Sequence, residues 1–171
     1  LAAYNHVGDS FIHVSEALSS NLQGTANVIE AYDGYERFIY TATSEVYGHQ
    51  EEVPFVEGMT PNPISPYAVG KYGGELYCRM KLDCTDDRVV IIRPFNAFGP
   101  YQSTRAVVAE MILICLSGKP VHSTEGKQTR EFNYVQNLVD AFVLAGWRHE
   151  AIGQVINLGC GEEISIRDLI L

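Results

Sequence analysis

Positive charge is scarce in this chain. Its 171 residues hold 12 Lys and Arg against 21 Asp and Glu, for a formal net charge of −9. Binding nucleic acid takes a basic stripe or patch, and this balance argues against one. Anionic small ligands stay open, because two or three local cations or a helix N-terminus suffice for them. No apolar run approaches the roughly 18 residues of a membrane span, so no membrane partner is expected. CxxC pairs are absent. Cys78, Cys84, Cys115 and Cys160 are scattered, as are His6, His13, His49, His122 and His149, and none has zinc spacing. No metal site is expected, and the cysteines read as buried free thiols of a reducing, cytoplasmic compartment. An initiating Met and a signal-peptide pattern are missing too. The chain opens Leu1-Ala2-Ala3 and stops at Leu171 inside an apparent helix, so it reads as an internal fragment of a longer protein.

What is present is an ordinary globular composition, 46% hydrophobic. Residues 9–31 carry Phe11, Val14, Leu18, Leu22, Ala26 and Ile29 at helical spacing, which predicts one long helix, kinked near Gly24. Residues 38–42 and 88–93 are short apolar runs of the kind that form buried parallel strands. Between them lies a loop over 43–65 that holds Pro54, Pro61 and Pro63. A helix follows over 66–82, with Ser65 as N-cap and Pro66 at its first position. Further helices are expected over 106–116 and from 134 or 135 to 147, and strands over 120–123 and 155–158. Ser165 caps a last helix. Strands alternating with helices imply βαβ units and a mostly parallel sheet.

One pentapeptide carries chemistry. Tyr67 and Lys71 stand at i and i+4 of the helix over 66–82, so they share a face one turn apart. Free Tyr titrates near 10, and use as a base near pH 7 needs a shift of roughly 3 units, about 4 kcal/mol. A cationic neighbour in a partly dry site supplies an effect of that size. Thr43, 24 residues earlier, offers a hydroxyl to the same substrate oxygen. The trio suits oxidation and reduction of a sugar or alcohol carbon with a nicotinamide cofactor. A YxxxK alone is weak, because both residues are common on helix surfaces.

Several stretches then occur in order: Leu1-Ala2-Ala3; Asn21 with GTANV (residues 24–28); TATSEVYG (41–48); SPYAVGK (65–71); RPFNAFGP (93–100); TREFNYV (129–135); and VINLGCGEEISI (155–166). In this set the chain resembles the extended short-chain dehydrogenase/reductase family, in its branch of nucleotide-sugar epimerases and dehydratases. The resemblance implies an α/β fold: a doubly wound Rossmann-like parallel sheet, here its later strands only, with part of a small C-terminal substrate domain. Residues 1–100 would be a partial NAD-binding domain. Residues 101–171 would be a partial substrate-binding region interleaved with the last strands. It also implies roles. Tyr67 is the acid/base, and Lys71 is its partner that also holds the nicotinamide ribose. Thr43 bonds the sugar hydroxyl that becomes a ketone. Ala2, Ala3, Thr41, Pro94 and Phe95 are NAD contacts. Asn96 and Arg130 contact the diphosphate of a nucleotide-diphosphate sugar, and Arg105 is a weaker candidate for phosphate. A homodimer is implied, with the helices from Asp9 and Pro66 as its interface. The family's Gly-rich phosphate loop is not in these residues: Gly73-Gly74 and Gly159-Cys160-Gly161 have the wrong spacing and context.

Glu45 bears on reaction type. Dehydratases and some decarboxylases of this branch resemble each other in carrying Thr-Ser-Glu or Thr-Asp-Glu here, and many simple 4-epimerases have no carboxylate in the stretch. Oxidation at C4 acidifies the C5 proton; its removal needs a base, and loss of the C6 hydroxyl needs an acid. Ser44 stands where a related subgroup has Asp as that acid, which leaves Glu45 to serve both steps. The expectation is an NAD-dependent nucleotide-sugar 4,6-dehydratase working through a 4-keto intermediate. A 4-epimerase needs only Thr43, Tyr67 and Lys71, and stays open. A uronate decarboxylase is disfavoured by Ala68, since those enzymes often resemble a YDxxK version. A catalytically dead NAD sensor or scaffold is disfavoured by the intact trio.

Overall fold

The structure, a computed structural model, describes residues 3–31, 34–85, 87–122 and 125–170. The chain divides into two compact units, residues 1–94 with 142–158 and residues 95–141 with 159–171.

The first unit is built on a three-stranded parallel sheet in the order β1-β2-β6. Its strands are β1 (Phe38–Thr41), β2 (Val89–Pro94) and β6 (Val155–Leu158), numbered along the chain with the second unit's strands between them. In β2, Val89, Val90, Ile91 and Ile92 are all fully buried. Alternate residues of a strand face opposite ways, so an unbroken apolar run means that both faces are covered. Val89 and Ile91 join Tyr40, Ala42, Ile29 and Cys78 in one core cluster. Val90 and Ile92 join Ala145 and Ala151 in another, with Phe142 and Ile156 packed on it. Tyr35 and Phe38 pack against the first cluster.

The expected helix over 9–31 is broken. It forms α1 (Val7–Ser10), α2 (Val14–Leu18), a π-helical turn (Ser19–Gln23) and α3 (Gly24–Glu30). The chain leaves the helix between Ser10 and Val14, while α2, the π-helical turn and α3 follow one another without a gap. The Asn21 side chain, 1% exposed, turns away and bonds both backbone groups of Tyr4: Tyr4 N–H donates to Oδ1 at 2.9 Å, and Nδ2 donates to the Tyr4 carbonyl at 3.0 Å. Of the apolar residues at helical spacing, Phe11, Val14 and Leu22 are exposed. Helix α4 (Pro66–Cys84) runs two residues past its expected end. Ser65 Oγ accepts from Ala68 N–H at 3.1 Å, as a cap should.

The second unit holds a parallel pair, β3 (Asn96–Phe98) with β5 (Phe132–Tyr134), and an antiparallel pair, β4 (Thr129–Arg130) with β7 (Ile164–Ser165). It also holds α5 (Val107–Leu116), the start of α6 (Val135–Trp147) and α7 (Ile166–Ile170). Ser165 caps α7 through Asp168 N–H at 3.0 Å. The strand expected over 120–123 does not form at 120–122, and Ser123 lies outside the described residues. Of the four cysteines only Cys78 is buried; Cys84, Cys115 and Cys160 are exposed thiols, which corrects their reading as core residues.

Candidate active site

The carboxyl end of β1 leads into the site. Parallel α/β sheets bind ligands outside the carboxyl ends of their strands, and Thr41 is the last residue of β1. Thr43 follows and caps a 3-10 turn, Ser44–Tyr47, with its Oγ1 accepting from Glu45 N–H at 3.2 Å. That turn must stop at Gly48, where φ is +60° and a Cβ would strike the Asn62 carbonyl. Asn62 N–H also donates to the Val46 carbonyl at 2.9 Å, so the loop is pinned from both sides.

Helix α4 supplies the other half. Tyr67 sits in its first turn, with its N–H donating to Ser10 Oγ at 3.2 Å. Ser10, fully buried, is in turn anchored on the Val7 carbonyl at 2.6 Å. One turn on, Lys71 is buried, and its Nζ donates to the Thr41 carbonyl at 2.8 Å. The Nζ also lies 5.6 Å from the centre of the Tyr40 ring. Thr41, Thr43, Glu45, Tyr67 and Lys71 thus come together within the first unit.

Their electrostatics differ from the expectation. Burial pushes the Tyr67 phenol above its ordinary value; a hydrogen bond with Thr43 works against the rise, and the Glu45 charge adds to it. Lys71 is not what lowers the phenol here. Its own pKa is pushed down to about 8 by burial, and its ammonium is turned onto the Thr41 carbonyl. An ammonium has three protons, and the Thr41 bond uses one of them. A buried cation with two donors left over suits a diol such as a ribose, so the residues present fit the expected role of Lys71 toward a dinucleotide.

The sequence profile of the NAD dependent epimerase/dehydratase family matches residues 1–159. The chain belongs to that family. A dTDP-D-glucose 4,6-dehydratase from Mus musculus is 33% identical over 172 residues, covering 98% of this chain and 48% of that protein. A UDP-glucose 4-epimerase from Mycolicibacterium smegmatis is 36% identical over 156 residues, covering 87% of this chain and 50% of that protein. The solved structure of a UDP-glucuronic acid 4-epimerase from Bacillus cereus, in complex with UDP-glucuronic acid and NAD, superposes with a TM-score of 0.91 at 32% identity, over 98% of this chain and 55% of that one. The fold is therefore the family's Rossmann-like α/β fold, and the chain spans about half the length of the curated relatives it matches.

The resemblance also implies Ala2, Ala3, Pro94, Phe95, Asn96 and Arg130. Pro94 ends β2, half-buried. Ala3 is half-buried before α1, and Ala2 lies outside the described residues. Phe95, Asn96 and Arg130 belong to the second unit. Asn96 starts β3, and its Nδ2 donates to the Glu131 carbonyl at 3.2 Å. Arg130 is exposed on β4 and donates to the carbonyl of its own neighbour Thr129 at 2.8 Å. It makes no pairing with Glu131, whose carboxylate instead accepts from the N–H groups of Cys160 and Gly161. Cys160 is part of that exposed turn.

Sequence reading missed the supports: Ser10 beneath Tyr67, and Asn21 beneath the Tyr4 backbone. It also missed a buried trio, Tyr47, Glu75 and Arg93. The one available signal was a charged Arg93 at the end of an apolar strand with no assigned partner.

Proposed function

We propose that the full protein carrying this chain is an NAD-dependent nucleotide-sugar 4,6-dehydratase. The observation that carries the reading is the Glu45 carboxylate, close enough to Tyr67 for its charge to act on the phenol. A 4-epimerase needs only Thr43, Tyr67 and Lys71. NAD, held by Lys71 and the other cofactor contacts, would supply reversible hydride transfer. Tyr67, as phenolate, takes the proton of the C4 hydroxyl, and Thr43 donates to the same oxygen. Lys71 holds the ribose and keeps a positive charge beside the reacting groups; Thr41, Ala2, Ala3, Pro94 and Phe95 are the further cofactor contacts. Glu45 takes the C5 proton and returns a proton to the C6 hydroxyl, which departs as water. Asn96 and Arg130 contact the diphosphate. We place the protein in the cytoplasm, as a homodimer. Exposed Val28 on α3 and Val69, Leu76 and Met80 on α4 support the dimer, which sedimentation of the full protein tests.

The deciding experiment supplies NAD and a panel of nucleotide sugars and weighs the product. Loss of one water supports the proposal, and Glu45→Gln should then slow that loss by about 10²- to 10⁴-fold, the worth of a positioned acid/base group, while 4-keto formation persists. An isomer of unchanged mass means a 4-epimerase, which the Mycolicibacterium relative and the intact Thr43, Tyr67 and Lys71 keep as the second reading.

A further inference from the structure

Behind the candidate site lies a buried ionic network that the acid/base chemistry does not use. Arg93, on β2, is fully buried. Its Nε donates to Glu75 Oε2 at 3.0 Å and its Nη2 to Glu75 Oε1 at 2.6 Å. Glu75 is also fully buried, one turn after Lys71 on α4. The third arm of the fork, Nη1, donates to the Tyr47 hydroxyl at 2.7 Å, and the guanidinium carbon lies 4.8 Å from the Tyr47 ring centre. The Tyr47 hydroxyl passes its own proton to Asn157 Oδ1, on β6, at 2.7 Å. Asn157 also bonds the loop after the turn, donating from Nδ2 to the Phe55 carbonyl at 3.1 Å and from its N–H to Glu57 Oε1 at 2.8 Å.

Stability alone does not account for this arrangement. A buried ion pair carries a desolvation penalty that its attraction barely offsets, and well-packed apolar residues often do as well. Its geometry is more telling. The fork joins the two elements that carry the candidate reacting groups: α4, with Tyr67 and Lys71, and the 3-10 turn, with Thr43 and Glu45. Tyr47 is the turn's last residue, two positions after Glu45.

We infer that Tyr47 is a positioning residue whose hydroxyl, held between Arg93 and Asn157, fixes the Thr43–Tyr47 turn against α4 and so sets Glu45 and Thr43 toward Tyr67. This rests on the reading of Thr43, Glu45 and Tyr67 as the reacting groups. Misplacing a reacting group by about 1 Å costs up to about a hundredfold in rate, so a loosened brace shows in kcat.

The test uses the full protein. Tyr47→Phe keeps the ring and its stack on Arg93 and removes only the hydroxyl. We expect kcat to fall about tenfold with KM within about twofold, the pattern of an interaction that matters in the transition state. Glu75→Gln loosens the fork from the α4 side and should give the same split, which covers the case of a Tyr47 variant that does not fold. A positioning role also predicts non-additivity: in a Glu45→Gln background, Tyr47→Phe should cost less than about twofold. A lowered melting temperature with unchanged kcat, or full additivity in that background, overturns the inference. If Glu45→Gln alone turns over like wild type, the dehydratase reading has failed. The cycle is then run against Thr43→Ala, where full additivity overturns the brace in its own right.

Discussion

Tyr67 shows how one side chain answers to several neighbours at once. A tyrosine base needs its phenolate stabilised, and Lys71, the cation one turn on, is itself depressed to about 8 by burial and bound to a backbone carbonyl. Burial therefore wins at Tyr67 and raises its pKa, with Thr43 opposing and Glu45 reinforcing. The signs give a prediction for the full protein without nucleotide. Thr43→Val removes a donor to the phenolate, so Tyr67 should titrate at higher pH. Glu45→Gln removes a negative charge, so Tyr67 should titrate at lower pH. Because the base form is the phenolate, the rising limb of the rate profile should follow the same directions. Phenolate absorbance, corrected with a Tyr67→Phe reference, reads the shift; movement of both variants in one direction would contradict the assignment.

At the scale of elements, α4 is shaped by its glycines. A Cβ on Gly74 would strike the Tyr40 hydroxyl and meet the Asn21 carbonyl at 2.8 Å. Those are the groups that join β1 and the π-helical turn to the helix, since the Tyr40 hydroxyl donates to the Lys71 carbonyl at 2.8 Å. A Cβ on Gly73 would meet only the end of the Leu22 side chain, at 3.2 Å. Gly74→Ala should therefore destabilise by about 1–3 kcal/mol through overpacking. Gly73→Ala should be neutral or stabilising by up to about 1 kcal/mol from helix propensity. Urea denaturation of the two variants checks the contrast, and equal effects would refute it. The same elements show what was readable beforehand. Helix α4 announced itself by Ser65 and Pro66, and β1, β2 and β6 by apolar runs, because both signals are local. The interruption between Ser10 and Val14 was not readable, and neither was the hold of Asn21 on Tyr4, whose groups meet across 17 residues. Nor were the strand pairs β3–β5 and β4–β7, whose members of two or three residues are too short to show a period. Within the site, Thr43, Glu45, Tyr67 and Lys71 stood in legible motifs. Tyr47 and Arg93 stood in the same motifs without revealing their roles, because their partners Asn157 and Glu75 lie 110 and 18 residues distant.

At the scale of the molecule, the proposed function gives these 171 residues one side of a dinucleotide site. Lys71 and Tyr67 face the ribose and reacting carbon in the proposed function, and Thr41 and Pro94 end the strands beside them. The pyrophosphate of a dinucleotide is held differently, by a Gly-rich turn that aims backbone N–H groups and a helix N-terminus at the two phosphates. No GxxGxxG occurs in the 171 residues. Two hydrogen bonds from one buried ammonium are worth a few kcal/mol at most, below the roughly 8 kcal/mol of micromolar affinity. The 171-residue chain alone should thus bind NAD no more tightly than about 1 mM, near 4 kcal/mol, while the full protein binds it at least about a hundredfold tighter. Calorimetry on both proteins settles the comparison. Micromolar binding by the 171 residues would mean that the nicotinamide half, built on Lys71 and Tyr67, dominates the affinity, and the division of labour argued here would be wrong.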